Sequence, residues 1–326
     1  MKKILIVGGG GIGKKHIDGF LRTGKFIVSV CEVDKRKLQE LTHAYPIQQT
    51  FDDFHSIDFS QFDAVLIATP ANYHVQMAKK CALAKVPFLI EKPLAVTLDG
   101  VDELIRIVRE KKIPCGVAFT RRSIPSYRKI KELVDSKIIG EIKMANFHCA
   151  QDYRKYRPDY SQIYFAKKEM GGGILRDSVT HMIDLAQWII GRPEKGCGLC
   201  ANLVFGEAIE TDDSTVVAGQ FNGKLVAFYC NGFQKPNELI IDLAGIDGNL
   251  KYVFVSKFLS KIFFANDDSG EWKQICEFRD EAQNYYFYQA EQFYMFLEGK
   301  HCDFTTIEEA AENLRFVLDV VKSSEH

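Results

Sequence analysis

Lys92, Asp177 and His181 are the residues with which this chain could move a proton and steady a developing negative charge. Lys92 stands in Phe88-Leu-Ile-Glu91-Lys92-Pro93-Leu94, an apolar run that ends in an acid and a base before a proline stops it. If the run is an inner strand of a parallel sheet, Lys92 lies at its carboxyl end, where such sheets bind ligands. Alone, a Glu–Lys neighbour pair is more often a solvated surface pair. Asp177 and His181 lie in Gly171-Gly-Gly173-Ile-Leu-Arg-Asp177-Ser-Val-Thr-His181-Met-Ile-Asp184. On a helix, Asp177, His181 and Asp184 recur at i, i+4 and i+7 and share one face. A capped helix with a core histidine would give the same pattern. The glycine triplet argues instead for close approach of another backbone or a ligand. A histidine, with an ordinary pKa of about 6.5, suits removal of a proton from a hydroxyl.

The elements that must position these residues begin with Ile4-Leu-Ile-Val7, a short apolar run expected for a strand buried on both faces. Gly8-Gly-Gly10-Gly-Ile-Gly13 follows at once and leads into a helical pattern through Phe20 and Leu21. Strand, glycine turn and helix are the context in which GxGxxG binds a dinucleotide. Gly8 makes the turn, Gly10 lets the backbone approach a pyrophosphate, and Gly13 lets helix and strand pack closely. Gly11 and Ile12 complete the loop. A second strand, Phe26 to Cys31, ends at Glu32, where the fold places the acid that binds the adenosine ribose. A carboxylate there favours NAD, while Lys35 and Arg36 leave NADP open. Asp34 is a helix cap, and strands at 64–68, 88–90 and 114–119 alternate with helices, Thr97 serving as a further cap. This predicts a doubly wound α/β domain over residues 1–120.

Residues 121–326 have another rhythm. A helix at 127–137 and a strand at 142–149 precede strand-like runs at 197–205, 214–221, 224–230, 238–244, 250–255, 261–265 and 272–278. Asn222-Gly223 is a two-residue hairpin signal, and runs joined this closely form an open, mostly antiparallel sheet. Two helices, near 284–298 and 307–322, close the chain. Thr306 and Glu309 have capping-box spacing for the second.

The chain has 326 residues, 46% apolar and 26% charged, with a net charge of −1. That balance gives no electrostatic reason to expect nucleic acid or an anionic membrane as partner. Nine scattered cysteines include one CxxC, Cys197 to Cys200, with no second pair to complete a metal site, so no metal is expected. The amino terminus is too short in apolar residues for a signal peptide, and no run reaches transmembrane length. A cytoplasmic, reduced protein is expected.

GGGGIGKKH, IATPANYH, IEKPL and GGGILRDSVTHMIDLAQWIIG, in that order along nearly the whole chain, resemble the signatures of the Gfo/Idh/MocA oxidoreductase family. The resemblance implies a Rossmann domain, a second α/β domain with an open sheet, a nicotinamide cofactor, and redox chemistry on a sugar or cyclitol hydroxyl. It implies catalytic roles for Lys92, Asp177 and His181, and cofactor contacts from Thr69, Pro70, Asn72, His74 and Glu91. It also implies a cis Lys92–Pro93 bond. Arg121-Arg122 resembles the family's basic pair after the last Rossmann strand, and Arg122 is expected at the substrate. Tyr153-Arg-Lys-Tyr-Arg157-Pro-Asp-Tyr160 resembles members found with surface-polysaccharide sugars. Arg157 and Tyr160 are therefore expected at a substrate that can include a uronate or nucleotide sugar.

Two other functions share these features: an NAD-dependent glycosidase with transient redox, and a non-catalytic NAD-binding regulator. The sheet has apolar alternation on both sides in places, at Val216, Ala218, Phe221, Val226, Phe228, Ile240, Ile241 and Leu243, and a sheet face not covered by helices normally finds a partner. A homodimer or homotetramer through that sheet is expected.

Overall fold

The computed structural model describes residues 1–256, 258–266, 269–279 and 284–325. It divides into two compact units, Met1–Ser123 with Gln283–Ala311, and Ile124–Ala282 with Glu312–His326.

In the first unit, apolar β-branched runs alternate with amphipathic ones. The elements are β1 (Lys2–Val7), α1 (Gly11–Arg22), β2 (Phe26–Cys31), α2 (Lys35–Ala44), β3 (Thr50–Phe51), β4 (Ala64–Ile67), α3 (His74–Leu83), β5 (Phe88–Glu91), α4 (Val101–Lys111) and β6 (Cys115–Ala118). The strands form one parallel sheet in the order β3-β2-β1-β4-β5-β6. Strand order reverses at β1/β4, the switch point beside which such sheets bind ligands. Ile4, Leu5, Ile6, Val65 and Leu66 have no exposed surface, as a sheet covered on both faces requires. Asp34 caps α2 as expected, accepting from the N–H groups of Arg36 and Lys37. Thr97 does not cap α4: that helix starts from Gly100 in a left-handed conformation, and Thr97 bonds Asp99.

The second unit contains α5 (Pro125–Asp135), β7 (Ile142–Ala150), α6 (Tyr153–Tyr156), and a π-helical turn, Leu175–Val179, that runs directly into α7 (Thr180–Ile189). Strands β8 (Pro193–Ala201), β9 (Ser214–Phe221), β10 (Lys224–Asn231), β11 (Glu238–Gly245), β12 (Asn249–Ser256), β13 (Leu259–Ala265) and β14 (Lys273–Phe278) follow. The eight-stranded sheet has the order β14-β13-β12-β11-β7-β10-β9-β8. Its pairs are antiparallel except β10 with β7. Asn222 and Gly223 both take positive φ, 46° and 78°, as the two-residue hairpin between β9 and β10 demands.

One reading of this sheet needs correction, and a second is sharpened. The strand expected at 197–205 lies four residues earlier, because the buried carboxylate of Asp213 accepts from the N–H groups of Leu203, Val204 and Phe205 and folds that apolar segment into a turn. The apolar alternation expected on both sides of the sheet is present, and burial tells the two sides apart. Phe221, Val226, Phe228, Ile241 and Leu243 are buried, whereas Val216 is 55% exposed. Strand alternation turns a different set outward with Val216, namely Leu199, Leu225, Tyr229 and Met144. Cross-strand pairing aligns Leu199 with Val216 and Val216 with Tyr229.

The chain ends with α8 (Tyr285–Leu297) and α9 (Ile307–Ser324). The capping box of α9 is reciprocal: the Glu309 carboxylate accepts from the Thr306 N–H, and the Thr306 hydroxyl accepts from the Glu309 N–H. Helix α8 belongs to the first unit, so the boundary expected at residue 120 separates only the first crossing of the chain. Its Phe293 and Ala290 join Ile17, Phe20 and Phe26 in one buried core, with the Phe293 ring edge-on to Phe20 at 6.1 Å. Gly19 permits this packing, since a Cβ there would lie 2.6 Å from the carbonyl oxygen of Tyr286. Replacing Phe293 by alanine should cost about 3–5 kcal/mol of stability. Urea unfolding would measure it, and a loss below about 1 kcal/mol would show that α8 is not part of this core.

Candidate functional site

In the first unit, the glycine loop links β1 to α1. Gly8 takes φ +100°, and a Cβ there would meet the Ala68 carbonyl at 2.6 Å. At Gly13, a Cβ would lie 2.0 Å from the carbonyl oxygen of Gly8, so only glycine allows helix and strand to approach this closely. Gly10 and Gly11 are different, because a Cβ on either meets nothing within 4 Å. With Ile12, they open α1, whose N-terminus has no side-chain cap. Open space over unpaired helix N–H groups fits a pyrophosphate. Glu32, directly after β2, accepts from the Gly9 N–H at 2.7 Å and from the Asp34 N–H at 3.0 Å. It therefore ties the glycine loop to the β2 end, each of its oxygens meeting a backbone N–H. Lys35 and Arg36 are exposed on α2.

Thr69, Pro70 and Asn72 lie on the partly exposed turn between β4 and α3. His74 and Glu91, expected to touch the cofactor, are buried and engaged within the protein. The His74 ring stands between two carbonyl oxygens, with Nε2 2.8 Å from Thr69 and Nδ1 2.9 Å from Pro93. Burial pushes its pKa below the ordinary histidine value, so the neutral ring donates to one carbonyl at a time. Glu91 Oε1 is 2.6 Å from His16 Nε2, and Glu91 Oε2 accepts from the Lys92 N–H at 3.0 Å. The Lys92–Pro93 bond is cis, and Lys92 is partly exposed. Arg122 is only 3% exposed and donates to Glu309 at 3.3 Å. Nη1 of Arg122 is thus engaged by a carboxylate, itself 33% exposed, at the start of the last helix.

In the second unit, Asp177 is buried on the π-helical turn before α7. Its Oδ2 accepts from the Tyr153 hydroxyl and from Arg157 Nη1, each at 2.7 Å, and its Oδ1 accepts from the Tyr164 hydroxyl. Tyr153 in turn lies 2.5 Å from the Ser178 hydroxyl, from which it accepts. Burial and the Asp177 charge raise the Tyr153 pKa well above the usual tyrosine value, so the phenol remains a donor. The Asp177 charge likewise raises the pKa of Arg157. Three donors on one carboxylate favour its ionised form. His181, four residues on, is partly exposed on α7, whereas Asp184 is fully buried. Arg157 therefore meets Asp177 first, although 36% of its side chain remains exposed. Tyr160 packs against Phe205 with the rings tilted by 40° and centroids 4.6 Å apart.

The glycine triplet serves the protein itself. A Cβ at Gly172 would strike the carbonyls of Phe165 and Tyr164, and one at Gly173 would strike the Asp212 carboxylate. Asp212 is a participant that sequence reasoning missed. It accepts from the Leu175 N–H at 2.8 Å at the start of the π-helical turn. His16 was also missed, although it follows Gly13 by one helical turn in the quoted GGGGIGKKH motif. Desolvation pushes the Asp212 carboxyl up to about 6. Between its unfolded value near 4 and about 6, the folded chain holds a proton that the unfolded chain has released, so stability falls as pH rises through that window. Asp212→Asn keeps the acceptor and removes the titration. Its unfolding free energy relative to the unaltered chain should therefore rise from about pH 4 to pH 7. A difference that stays flat across urea titrations would contradict this.

Residues 2–119 match the Gfo/Idh/MocA oxidoreductase family's NAD-binding Rossmann fold, and residues 127–251 match the C-terminal domain of the same family. The chain is 27% identical to myo-inositol 2-dehydrogenase of Thermotoga maritima, over 58% of its own length and 55% of that protein's. It is 24% identical to levoglucosan dehydrogenase of Pseudarthrobacter phenanthrenivorans, over 81% and 76% of the two lengths. Across the first three curated relatives, the match spans 64%, 47% and 55% of their own length. The solved complex of levoglucosan dehydrogenase with NADH and levoglucosan superposes with a TM-score of 0.87, at 19% identity, over 99% of this chain and 97% of that one. The glycine cradle, the acid at the end of β2 and two successive family domains lead to one conclusion: the chain belongs to the Gfo/Idh/MocA family of NAD-binding oxidoreductases.

Proposed function

We propose that the chain oxidises a secondary hydroxyl of a sugar, sugar derivative or cyclitol, with NAD as hydride acceptor. The observation that carries this is the set of three donors on Asp177. A carboxylate that already accepts from Arg157 and two tyrosines is a poor proton acceptor, which leaves His181 as the base on that helix. His181 takes the hydroxyl proton while the carbinol C–H leaves as hydride. Bound nicotinamide supplies the acceptor carbon. Lys92 steadies the charge that develops on the alcohol oxygen. Asp177 favours the imidazolium form of His181 and orients the sugar through Arg157 and the two tyrosines that it holds. The N–H groups of Arg157 that Asp177 leaves free, together with Tyr160, suit a substrate that carries a carboxylate. The named activities of the relatives, on inositol and levoglucosan, support a polyhydroxylated substrate.

Purified protein with NAD and a panel including myo-inositol, levoglucosan and uronates should accumulate NADH with at least one member. His181→Ala should lower that turnover by roughly two to four orders of magnitude. Near-native turnover in the variant would remove His181 as base. Cleavage of a glycoside without NADH accumulation would favour transient redox instead.

We further propose a homodimer or homotetramer through the outward face of the eight-stranded sheet. Leu199 is 72% exposed there, beside the outward Val216, Leu225, Tyr229 and Met144. An apolar face of this kind on a sheet normally finds a partner surface. A cytoplasmic setting is supported by nine cysteines as free thiols. Among the described residues, no helix is long and apolar enough to cross a membrane. Light scattering at micromolar concentration should give at least a dimer, and Val216→Glu with Leu225→Glu should shift it toward monomer. A monomeric unaltered chain would refute the interface.

A further inference from the structure

The segment that bears Lys92 is anchored on both sides by buried histidines. Before Lys92, Glu91 uses one carboxylate oxygen to accept from the Lys92 N–H, and the other meets His16 Nε2 at 2.6 Å. After Lys92, the Pro93 carbonyl lies 2.9 Å from His74 Nδ1, and the other nitrogen of that ring faces the Thr69 carbonyl. Both histidines are 1% exposed. His16 belongs to α1, whose N-terminus carries Gly10 and Gly11, and His74 opens α3, directly after the Thr69–Pro70 turn. The histidines thus join the Lys92 segment to both loops that precede these helices.

We infer that His16 and His74 are positioning residues that clamp Glu91-Lys92-Pro93, so that the glycine loop, the Thr69 turn and Lys92 are held in one register. Neither ring needs to touch cofactor or substrate for this role. The clamp rests on the first unit alone. Its value to catalysis rests on the proposed role of Lys92. A carboxylate buried beside a strand end needs its donors, so loss of the His16 ring frees Glu91 to turn away and releases the Lys92 amide.

The test is hydrogen exchange on the full chain, read by peptide mass spectrometry, for the unaltered protein, His16→Ala, His16→Gln and His74→Ala. NADH affinity is measured alongside by fluorescence. The peptide covering 88–96 should exchange about tenfold faster or more in both alanine variants, while the β1 peptide keeps its protection. His16→Gln, whose amide can stand in for Nε2, should restore protection to within about threefold. Exchange of 88–96 unchanged in both alanine variants, or not rescued by glutamine, overturns the clamp. If His16→Ala unfolds globally, the near-isosteric Glu91→Gln should still accelerate exchange of 88–96, and no acceleration there overturns it equally. Amine labelling of Lys92 separates this idea from the functional reading. At saturating NADH, the cofactor should protect Lys92 in the unaltered chain and not in His16→Ala. Absent protection in the unaltered chain would sink the role of Lys92 and leave the clamp standing. Unaltered labelling in His16→Ala would sink the clamp alone.

Discussion

A carboxylate withdrawn from water must be met by donors, and this protein answers that demand repeatedly. Glu32 is met by the backbone of the glycine loop, Glu91 by His16 and the Lys92 amide, Asp213 by three successive N–H groups, and Asp177 by an arginine and two phenols. Each solution fixes more than the acid. Glu32 sets the distance between the β2 end and the glycine turn. Asp213 decides where β8 stops. Asp177 holds Arg157 and both tyrosines against the π-helical turn ahead of α7.

The glycines meet the complementary constraint, which is room. Gly13 and Gly8 let a helix and a strand come closer than any side chain allows, whereas Gly10 and Gly11 leave a volume that the chain itself does not fill. The triplet at 171–173 is of the first kind, because carbonyls of Tyr164 and Phe165 and the Asp212 carboxylate fill its space. Similar glycine clusters therefore do opposite things: one is packed shut by the protein, and the other keeps open space at a helix start.

Much of this was legible in the order of residues. The strand–glycine–helix pattern, the acid at Glu32, the Asp34 cap, the Asn222-Gly223 hairpin and the Thr306/Glu309 box are local, and local spacing reports local geometry. What was hidden depended on distant partners. His16 and Glu91 are 75 residues apart, so nothing adjacent to either announces the pair. The Arg157 guanidinium reads as a ligand for an anion, and the anion it meets in the structure is Asp177 itself. Leu203, Val204 and Phe205 are apolar enough to extend strand β8, and only the fold brings Asp213 to their amides. The place of helix α8 in the chain points to the second domain, although its aromatic face completes the core of the first.

That last feature bears on how the protein is made. Residues 1–123 contain all six strands of the parallel sheet, yet the surface of α1 near Phe20 lacks its cover until α8 has been synthesised. During synthesis, an amino-terminal domain generally folds before the next one emerges. Here the nascent Rossmann unit waits with an aromatic surface open while the whole intervening sheet is translated. A nonsense mutation upstream of α8 would thus do more than delete a domain, because it would leave the surviving one with an adhesive face and expose it to chaperone capture or aggregation.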